Sequence, residues 1–284
     1  MDSRFRLIGA HQSIAGGVYK ALERAFGYGS KTLQIFTKNS NRWIGKKIPP
    51  NDIEKFIDLK VKYNIKSVIA HAAYLINLAS DNKETVSKSL ISLKDEIENC
   101  KLLGIKYLVL HPGSHKGAGE KAGIKQIAGN LNKLFDELGN SGIKILLETT
   151  AGQGNSVGHK LEHLREIYNR VDFKDNVGFC LDTCHLFAAG YDFRKKESYL
   201  NLREQFETIL GLENIHVIHL NDSKKSLNSK VDRHEHIGKG KIGLKPFAFF
   251  LNDEYFREIP FIIETPKENN MDEVNINLLT GLIT

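Results

Sequence analysis

Short apolar runs recur along the chain, separated by longer stretches in which apolar residues repeat with helical spacing. Runs rich in valine, isoleucine and leucine are typical of strands that are buried on both faces. Such runs predict eight strands, at 6–10, 33–36, 67–71, 106–111, 144–148, 177–182, 215–220 and 260–264. The stretches between them predict helices at 18–26, 51–63, 83–104, 124–139, 161–170, 202–211, 244–256 and 275–283.

This alternation predicts an α/β fold, and eight strand–helix units are the number found in a (β/α)8 TIM barrel. We expect a single domain over residues 1–284, because no composition shift, linker or low-complexity segment divides the chain. A doubly wound open sheet is the alternative, but it needs a glycine-rich turn after an early strand. The pair Gly16 and Gly17 stands alone and lacks that pattern. In a barrel, functional groups gather at the mouth formed by the C-terminal ends of the strands.

Six of the predicted strands carry an imidazole or a carboxylate at or next to their C-terminal end. These residues are His71, His111, Glu148, Asp182, His219 and Glu264. Each has an ordinary explanation when taken alone: a hydrogen-bonded histidine, a carboxylate paired with a lysine or arginine, or a helix N-cap. Burial of all six at one end of a barrel without a cation is costly, because these groups lose their hydration. The pattern therefore predicts a metal site at the mouth.

The loops add three more candidate ligands at close spacing. His185 follows Asp182 by three residues, so both side chains can face one ion. Asp232 and His234 are two residues apart, which places both side chains on one face of an extended segment, a face that His236 shares. The nine nitrogen and oxygen ligands exceed the needs of one ion, and the five imidazoles among them favour zinc over magnesium or calcium.

Composition narrows the class of protein. The chain has 284 residues, 41% of them hydrophobic, and no apolar run reaches the roughly 18 residues that a membrane span needs. The N-terminal segment lacks the charged-then-apolar layout of a secretion signal. Three cysteines, an odd number, give no sign of a disulfide framework, and Cys180 is expected to pack as a small apolar residue. We therefore expect a cytoplasmic protein that is not secreted. The formal charge of +6 suits a polyanionic partner without identifying one.

The candidate ligands lie in segments that resemble those of endonuclease IV, the zinc-dependent apurinic/apyrimidinic endonuclease family of base-excision repair. These segments are HAAYLINLAS (71–80), HPGSH (111–115), LETTAGQG (147–154), CLDTCHLFAAGYD (180–192), HLNDSKKSLNSKVDRHEHIGKGKIG (219–243) and IIET (262–265). The resemblance covers nearly the whole chain, beginning at GAHQSIAGG (9–17). It implies a TIM barrel with three zinc ions in a deep mouth.

The resemblance also assigns the nine ligands to the three ions. For the first zinc ion it implies His71, His111 and a bridging Glu148. For the second ion, which shares Glu148, it implies Asp182, His219 and Glu264. For the third ion it implies His185, Asp232 and His234. Every position nominated from the strand ends and loops thus coincides with a ligand position of the family.

By the same resemblance, the expected reaction is hydrolysis of the phosphodiester 5′ to an abasic site in double-stranded DNA. It leaves a 3′-hydroxyl and a 5′-deoxyribose phosphate, and the expected nucleophile is a hydroxide that bridges two metal ions. Glu148 would orient this hydroxide and Glu264 would be its proton partner, so both are expected catalytic residues. Trimming of blocked 3′ ends, as a 3′-phosphatase and 3′-phosphodiesterase, is an expected second activity. We expect the enzyme to act as a monomer.

DNA contacts are expected in two loops beside the ligands. The residues that the resemblance or the local chemistry nominates are Tyr74, Leu75, Lys38, Asn41, Arg42 and Trp43. Tyr74 and Leu75 resemble wedge residues that fill the gap in the base stack. The family often has an arginine where this chain has Asn41, and Arg42 can substitute for it. Two further departures lie in DNA-facing loops: Ala73 replaces a common serine, and Asn228 replaces a common glycine.

Two other functions are considered. A TIM-barrel sugar isomerase or epimerase uses strand-end carboxylates and a histidine with a divalent ion, but it needs fewer imidazoles and no Tyr-Leu wedge. A catalytically inactive damage-binding protein has no reason to keep nine ligands. The incision of abasic DNA therefore remains the favoured expectation.

Overall fold

The computed structural model describes residues 6–139, 141–268 and 270–284. Its strands are β1 (Ile8–Gln12), β2 (Thr32–Phe36), β3 (Ser67–His71), β4 (Tyr107–Leu110), β5 (Lys144–Glu148), β6 (Val177–Asp182), β7 (Ile215–His219), β8 (Asp222–Ser223), β9 (His234–Glu235) and β10 (Phe261–Ile263). Its helices are α1 (Lys20–Gly27), α2 (Pro50–Lys62), α3 (Lys83–Leu102), α4 (Glu120–Leu138), α5 (Leu161–Arg170), α6 (Thr183–Ala189), α7 (Lys196–Gln205), α8 (Phe247–Leu251) and α9 (Met271–Thr280). No helix within the described ranges is long and apolar enough to cross a membrane.

The barrel strands follow one another around a closed parallel sheet. Their order is β1, β10, β7, β6, β5, β4, β3, β2, and β1 pairs with β2 to close the ring. Strands β8 and β9 form a separate antiparallel hairpin after β7. The predicted (β/α)8 barrel is confirmed, and all eight predicted strands take part in it.

The helices depart from prediction at three places. Helix α7 begins at Lys196, earlier than the predicted 202, and continues into a π-helical turn at Phe206–Leu210. The predicted helix 244–256 is reduced to α8 and a short 3₁₀ turn. Helix α6 lies where no helix was expected, because the apolar run of β6 continues past its end. The Oδ1 atom of Asp182 accepts the backbone N–H of His185 at 2.8 Å and so caps this helix.

A layer of apolar side chains fills the barrel directly below the strand-end ligands. Side chains alternate along a strand, so the residue two positions before an inward-facing ligand also faces inward. The six residues at those positions form their own buried cluster, separate from the larger core that includes the helices. They are Ile69, Val109, Leu146, Cys180, Val217 and Ile262. We call this layer the apolar floor; it closes the mouth from below.

The close approach of β1 and β2 explains a glycine inside β1. A Cβ atom at Gly9 would lie 2.0 Å from the backbone carbonyl oxygen of Thr32, and backbone cannot move aside cheaply. We expect Gly9→Ala to lower stability by about 2–3 kcal/mol and Tm by roughly 5–10 °C in thermal unfolding. The matched control is Gly129→Ala, on an exposed face of α4 with open space around the new methyl group. Alanine favours a helix more than glycine does, so the control keeps or raises Tm. Equal Tm values for the two variants would contradict the prediction.

Candidate metal centre

The carboxylate of Glu148 lies at the centre of the side chains gathered at the barrel mouth. Its Oε2 atom is 2.9 Å from Nε2 of His111 and 3.2 Å from Nε2 of His71. Its Oε1 atom is 3.0 Å from Nδ1 of His219 and 3.3 Å from Nδ1 of His185. The four histidines lie on or just after β3, β4, β7 and α6, so one carboxylate connects distant stretches of the chain.

Two more carboxylates complete this side of the cluster. The Oε2 atom of Glu264 is 3.3 Å from Nδ1 of His219, and Oδ2 of Asp182 is 3.8 Å from the same nitrogen. The side chain of Asn221 holds both residues: its Nδ2 donates to Asp182 at 2.7 Å, and its Oδ1 accepts the backbone N–H of Glu264 at 2.7 Å. The fixed positions of these oxygens suit a binding site for a cation.

The β8–β9 hairpin brings the last two predicted ligands to the cluster. In its register, His234 pairs with Ser223, and Asp232 lies just before the hairpin strand. The carboxylate of Asp232 lies between two imidazoles, 3.0 Å from Nε2 of His185 and 3.4 Å from Nε2 of His234. All nine predicted ligands therefore lie in one connected group. His236 does not join it, since its Nδ1 faces the side chain of Asn275 at 3.1 Å.

Four of the five histidines in the group share one arrangement of their ring nitrogens. In each, one nitrogen faces an oxygen that can only accept a hydrogen bond, so that nitrogen carries the proton. The pairs are His71 Nδ1 with Ala72 O (2.7 Å), His185 Nδ1 with Thr149 O (2.8 Å), His219 Nε2 with Gln34 Oε1 (2.8 Å) and His234 Nδ1 with Glu264 O (3.1 Å). The opposite nitrogens, which hold the lone pairs, all face carboxylates. Metal-binding histidines are oriented in this way by an acceptor behind the ring.

A lone pair that faces a carboxylate is repelled unless a proton or a cation lies between them. Protons can take these places: burial lowers the pKa of His185, but Asp182 and Asp232 outweigh it and hold the pKa well above its usual value. Burial likewise raises the pKa of Glu148, yet the histidines around it, His111 first, hold that pKa well below its usual value. Both groups are therefore charged at neutral pH.

Protons alone do not give every buried ring nitrogen of this cluster a hydrogen-bond partner. Among the described residues, the buried Nε2 atom of His234 has no hydrogen-bond partner, although carboxylate oxygens of Asp232 and Asp182 lie 3.4 and 3.6 Å from it. Two sets of ligand atoms, His71–His111–Glu148 and His185–Asp232–His234, each fall within 4.8 Å of one another. Imidazole nitrogens and carboxylate oxygens in this number fit divalent cations such as zinc.

The thiols beside the ligands remain neutral. Burial raises the pKa of Cys180 and of Cys184 to about 12 in each case, which disfavours the thiolate form of both. Only the thiolate form binds metals well. Cys180 instead belongs to the apolar floor, in agreement with the packing role expected for it.

A second group of ligand-type side chains lies away from this cluster, between α4 and α5. The carboxylate of Glu120 accepts from Nζ of Lys160 at 2.9 Å and from Nε2 of His163 at 3.1 Å, and His159 lies 3.3 Å away. The Nδ1 atom of His163 accepts the backbone N–H of Gly158, so its Nε2 carries the proton. The ammonium group and these donors already satisfy the carboxylate, and the group is an ion-pair cluster that joins the two helices.

Sequence reasoning missed two side chains that orient the ligands. Gln34 is fully buried in β2; its Oε1 accepts from His219, and its Nε2 donates to Glu264 at 2.6 Å. His11 lies beside it, 3.6 Å from Glu264. The available signal was a polar residue inside an apolar strand, in LQIF and in IGAHQ, at a position that faces into the barrel.

Comparisons with known proteins identify the family. Residues 22–279 match the family described as a xylose isomerase-like TIM barrel. A curated protein from Citrifermentans bemidjiense, named probable endonuclease 4, is 46% identical over 279 residues, which cover 98% of this chain and 99% of that protein. The chain belongs to the endonuclease IV family. Membership supports a nuclease function and a metal cofactor.

Solved structures agree with this assignment to the endonuclease IV family. The crystal structure of endonuclease IV from Thermus thermophilus superposes with a TM-score of 0.85 at 34% identity, covering 97% of this chain and 98% of that one. A D-tagatose 3-epimerase-like protein also superposes, with a TM-score of 0.74 over 96% of each chain, but at 19% identity. The second likeness is one of fold alone, and it does not support the sugar epimerase alternative.

In the present protein, a wide cavity opens over the candidate ligands. Its volume is about 910 Å³, and Trp43, Tyr74 and Leu75 line it together with the ligands. Tyr74 is 61% exposed, and its ring centroid lies 5.6 Å from that of His71. Arg42 lines a neighbouring cavity of about 450 Å³, and Asn41 is exposed on the same loop. The residues expected to contact DNA are thus accessible, with one exception.

Lys38 is that exception, and the expectation that it faces DNA is wrong. Its side chain is only 1% exposed and points into the protein, where its ammonium group contacts Glu96 at 3.3 Å.

Two residues that differ from the usual endonuclease IV sequence, Ala73 and Asn228, fit the structure. Ala73 donates its backbone N–H to Glu96, and Asn228 has a φ of 59°, in the left-handed region that glycine and asparagine adopt most readily.

Proposed function

We propose that this protein is a metal-dependent endonuclease that hydrolyses the phosphodiester 5′ to abasic sites in double-stranded DNA. The products are a 3′-hydroxyl and a 5′-deoxyribose phosphate. One observation carries the proposal: five imidazoles and four carboxylates converge at the mouth of the barrel, with lone pairs facing carboxylate oxygens. The name of the curated relatives, probable endonuclease 4, and the likeness to the Thermus enzyme support it.

We propose zinc as the metal, with three ions per chain. His71, His111 and Glu148 would hold one ion; Asp182, His219 and Glu264, together with Glu148, would hold the second; and His185, Asp232 and His234 would hold the third. Bound zinc supplies positive charge to the phosphate oxygens and lowers the pKa of water towards neutrality. The distances around Glu148 support a central place for this carboxylate, since its Oε2 faces His71 and His111 while its Oε1 faces His219 and His185.

Within the chain, Glu148 and Glu264 are the proposed catalytic residues. Both are ionised, because burial raises the pKa of each but the neighbouring histidines hold it well below its usual value. An ionised carboxylate can accept a hydrogen bond from the attacking water and orient it, which is the role we assign to Glu148. Glu264 lies nearer the mouth, with its side chain 13% exposed, and it is the proposed proton acceptor.

Recognition of the abasic site is assigned to the residues around the cavity. An abasic nucleotide has no base to unstack, so its extrusion costs less than that of an intact nucleotide. Tyr74 and Leu75 are proposed to fill the resulting gap, and Arg42 to contact the backbone, with Asn41 beside it. The net charge of +6 favours the approach of DNA.

The remaining proposals follow from the same site. A terminal 3′-phosphate is a phosphomonoester, and a larger block joined through that phosphate is a phosphodiester. Hydrolysis of either needs an activated water and neutralised phosphoryl oxygens, so we include 3′-phosphatase and 3′-phosphodiesterase activity. All nine ligands come from one chain, which supports action as a monomer. We place the protein in the compartment that holds its DNA, the cytoplasm in a bacterium.

The direct test uses a duplex that contains one tetrahydrofuran analogue of an abasic site. This analogue cannot undergo β-elimination, so incision 5′ to it reports hydrolysis alone. We expect incision by the protein as isolated, loss of incision after dialysis against a chelator, and recovery when zinc is added back. Binding without incision by zinc-loaded protein would favour a damage-binding protein, and epimerisation of a ketose would favour the sugar epimerase alternative.

Gln34 offers a test of the metal proposal that does not depend on activity. Gln34→Leu removes the acceptor behind the ring of His219 and the donor to Glu264 while it keeps the barrel filled. Loss of such an orienting partner weakens metal affinity by about 10- to 100-fold. Competition with a chromophoric chelator measures this affinity. Gln12→Leu is the matched control: Gln12 is also buried, on the neighbouring strand, but donates to Asp272 instead. Equal zinc affinity in the two variants would show that Gln34 does not orient the metal-binding residues.

A further inference from the structure

The ammonium group of Lys38 is buried, and hydrogen-bond acceptors surround it. Its Nζ atom donates to the backbone oxygen of Trp43 at 2.9 Å and to Oγ and O of Ser92 at 2.9 and 3.1 Å. It also lies 3.3 Å from a carboxylate oxygen of Asp95 and 3.3 Å from one of Glu96. The acceptors belong to two parts of the chain only, the loop after β2 and helix α3. The ammonium group therefore fastens that loop to the helix.

The carboxylate of Glu96 connects a second loop to the same point. Its side chain is 1% exposed; Oε1 accepts the backbone N–H of Ala73 at 2.9 Å, and Oε2 accepts from the hydroxyl of Thr37 at 3.4 Å. Ala73 directly precedes Tyr74, and Thr37 directly precedes Lys38. One buried ion pair thus holds the loop after β2 and the loop after β3 together.

Asp95 adds a third connection. Its Oδ2 atom accepts the backbone N–H of Gly45 at 3.1 Å as well as the ammonium group of Lys38. The segment from Lys38 to Gly45, which carries Arg42 and Trp43, is therefore fixed to α3 at both of its ends. Both loops present residues to the solvent: Trp43 and Tyr74 line the large cavity.

Fold stability alone is a weak explanation for this pair. Moving an ammonium group and a carboxylate out of water costs several kcal/mol for each ion, and an apolar pair of similar volume often stabilises a protein as well or better. What an apolar pair cannot do is bond to the backbone of two separate loops. The directional contacts with Trp43, Ala73 and Asp95 need polar groups at both positions, and an apolar pair does not supply them.

We propose that Lys38 and Glu96 are positioning residues that set the Trp43 loop and the Tyr74 loop in one fixed arrangement for binding DNA. Neither residue touches the substrate. The inference rests on the proposed function, because it assigns the two loops to abasic DNA. A loop set in its bound arrangement loses less ordering entropy when DNA binds, so loss of the pair weakens binding more than chemistry.

The test replaces both fully buried charges at once, in Lys38→Met/Glu96→Met; Asp95, which is 29% exposed, keeps the backbone N–H of Gly45 and its contact with water. Trp43 is the sole tryptophan of the chain, so its fluorescence reports on the loop without any DNA. We expect emission at longer wavelength, stronger quenching by acrylamide and a KM for abasic duplex raised about 10- to 100-fold, with kcat changed less than about 3-fold. Far-UV circular dichroism and Tm establish that the variant is folded.

The matched control makes the same substitutions on the surface of the same helix. Lys88 and Glu84 form an ion pair with side chains 50% and 73% exposed, and Lys88→Met/Glu84→Met is expected to leave emission and KM unchanged. Glu96→Gln keeps an acceptor for Ala73 and Lys38, and we expect it to restore most of the wild-type emission and KM.

A further variant covers the case in which the double variant does not fold. Asp95 is 29% exposed, so Asp95→Ala leaves no cavity in the core, and it is expected to shift emission and KM in the same directions by smaller amounts. Folded variants with wild-type emission and KM would overturn the inference, as would a fall in kcat at constant KM. If the wild-type protein does not incise abasic DNA, the proposed function fails, while the emission of Trp43 still decides whether the pair holds the loop.

Discussion

Glu148→Gln is expected to reduce kcat/KM for a tetrahydrofuran duplex by about 10³-fold or more, equivalent to on the order of 4 kcal/mol of transition-state stabilisation. The carboxylate is fully buried and faces four imidazoles, so glutamine leaves their positive charge or their metal ions without the central anion. Single-turnover incision and metal analysis of the same sample measure the two effects together. We expect bound zinc to fall along with activity.

The control for this variant is Glu162→Gln, an exposed glutamate on α5 that makes the same change in net charge. It is expected to retain wild-type incision and zinc content. Were Glu148→Gln to keep both, the central carboxylate would have neither a metal-bridging nor a catalytic role.

Asp232→Asn is expected to lower kcat about 10²- to 10³-fold and bound zinc by one equivalent. Asp232 is the carboxylate between His185 and His234, and an amide is a much weaker ligand than a carboxylate. Its side chain is 38% exposed on a loop, so the substitution leaves the fold intact and the loss is one of function. Incision kinetics and mass spectrometry under native conditions report the rate and the number of ions.

Asp192→Asn serves as the matched control, since Asp192 is also on a loop and half exposed but pairs with Arg194. A folded Asp232→Asn protein with the full metal complement and wild-type kcat would show that the His185–Asp232–His234 group is not a metal site.

The convergence of the strand-end side chains could be predicted because two regularities coincide there. Parallel strands in a barrel all point to one mouth, and a strand ends where its apolar run ends. A polar residue such as His71 or Glu148 at that point is therefore visible in the sequence as the last letter of a buried run. The spacing of Asp232 and His234 was informative for a related reason, since residues two apart in extended chain share a face.

The features that escaped prediction depend on contacts between distant residues. Gln34 lies in an apolar strand, and only the positions of His219 and Glu264, distant in sequence, give it a role. Lys38 stands in a polar loop, where solvent exposure is the ordinary expectation, but Ser92, Asp95 and Glu96 of α3 draw it inward. The start of α7 at Lys196 has a different, local cause: its first turn is polar, so the apolar periodicity begins only later.

The apolar floor has an electrical consequence for the whole molecule. Hydrocarbon below the ligands cannot screen charge as water does, so the field of the charged groups in the mouth is weakened little on that side and is focused towards the opening. With the proposed zinc ions bound, we expect the mouth to attract a phosphate backbone at one end of the barrel only, so that this face is favoured before any specific contact forms. The rate of association with DNA is then expected to fall steeply as ionic strength rises.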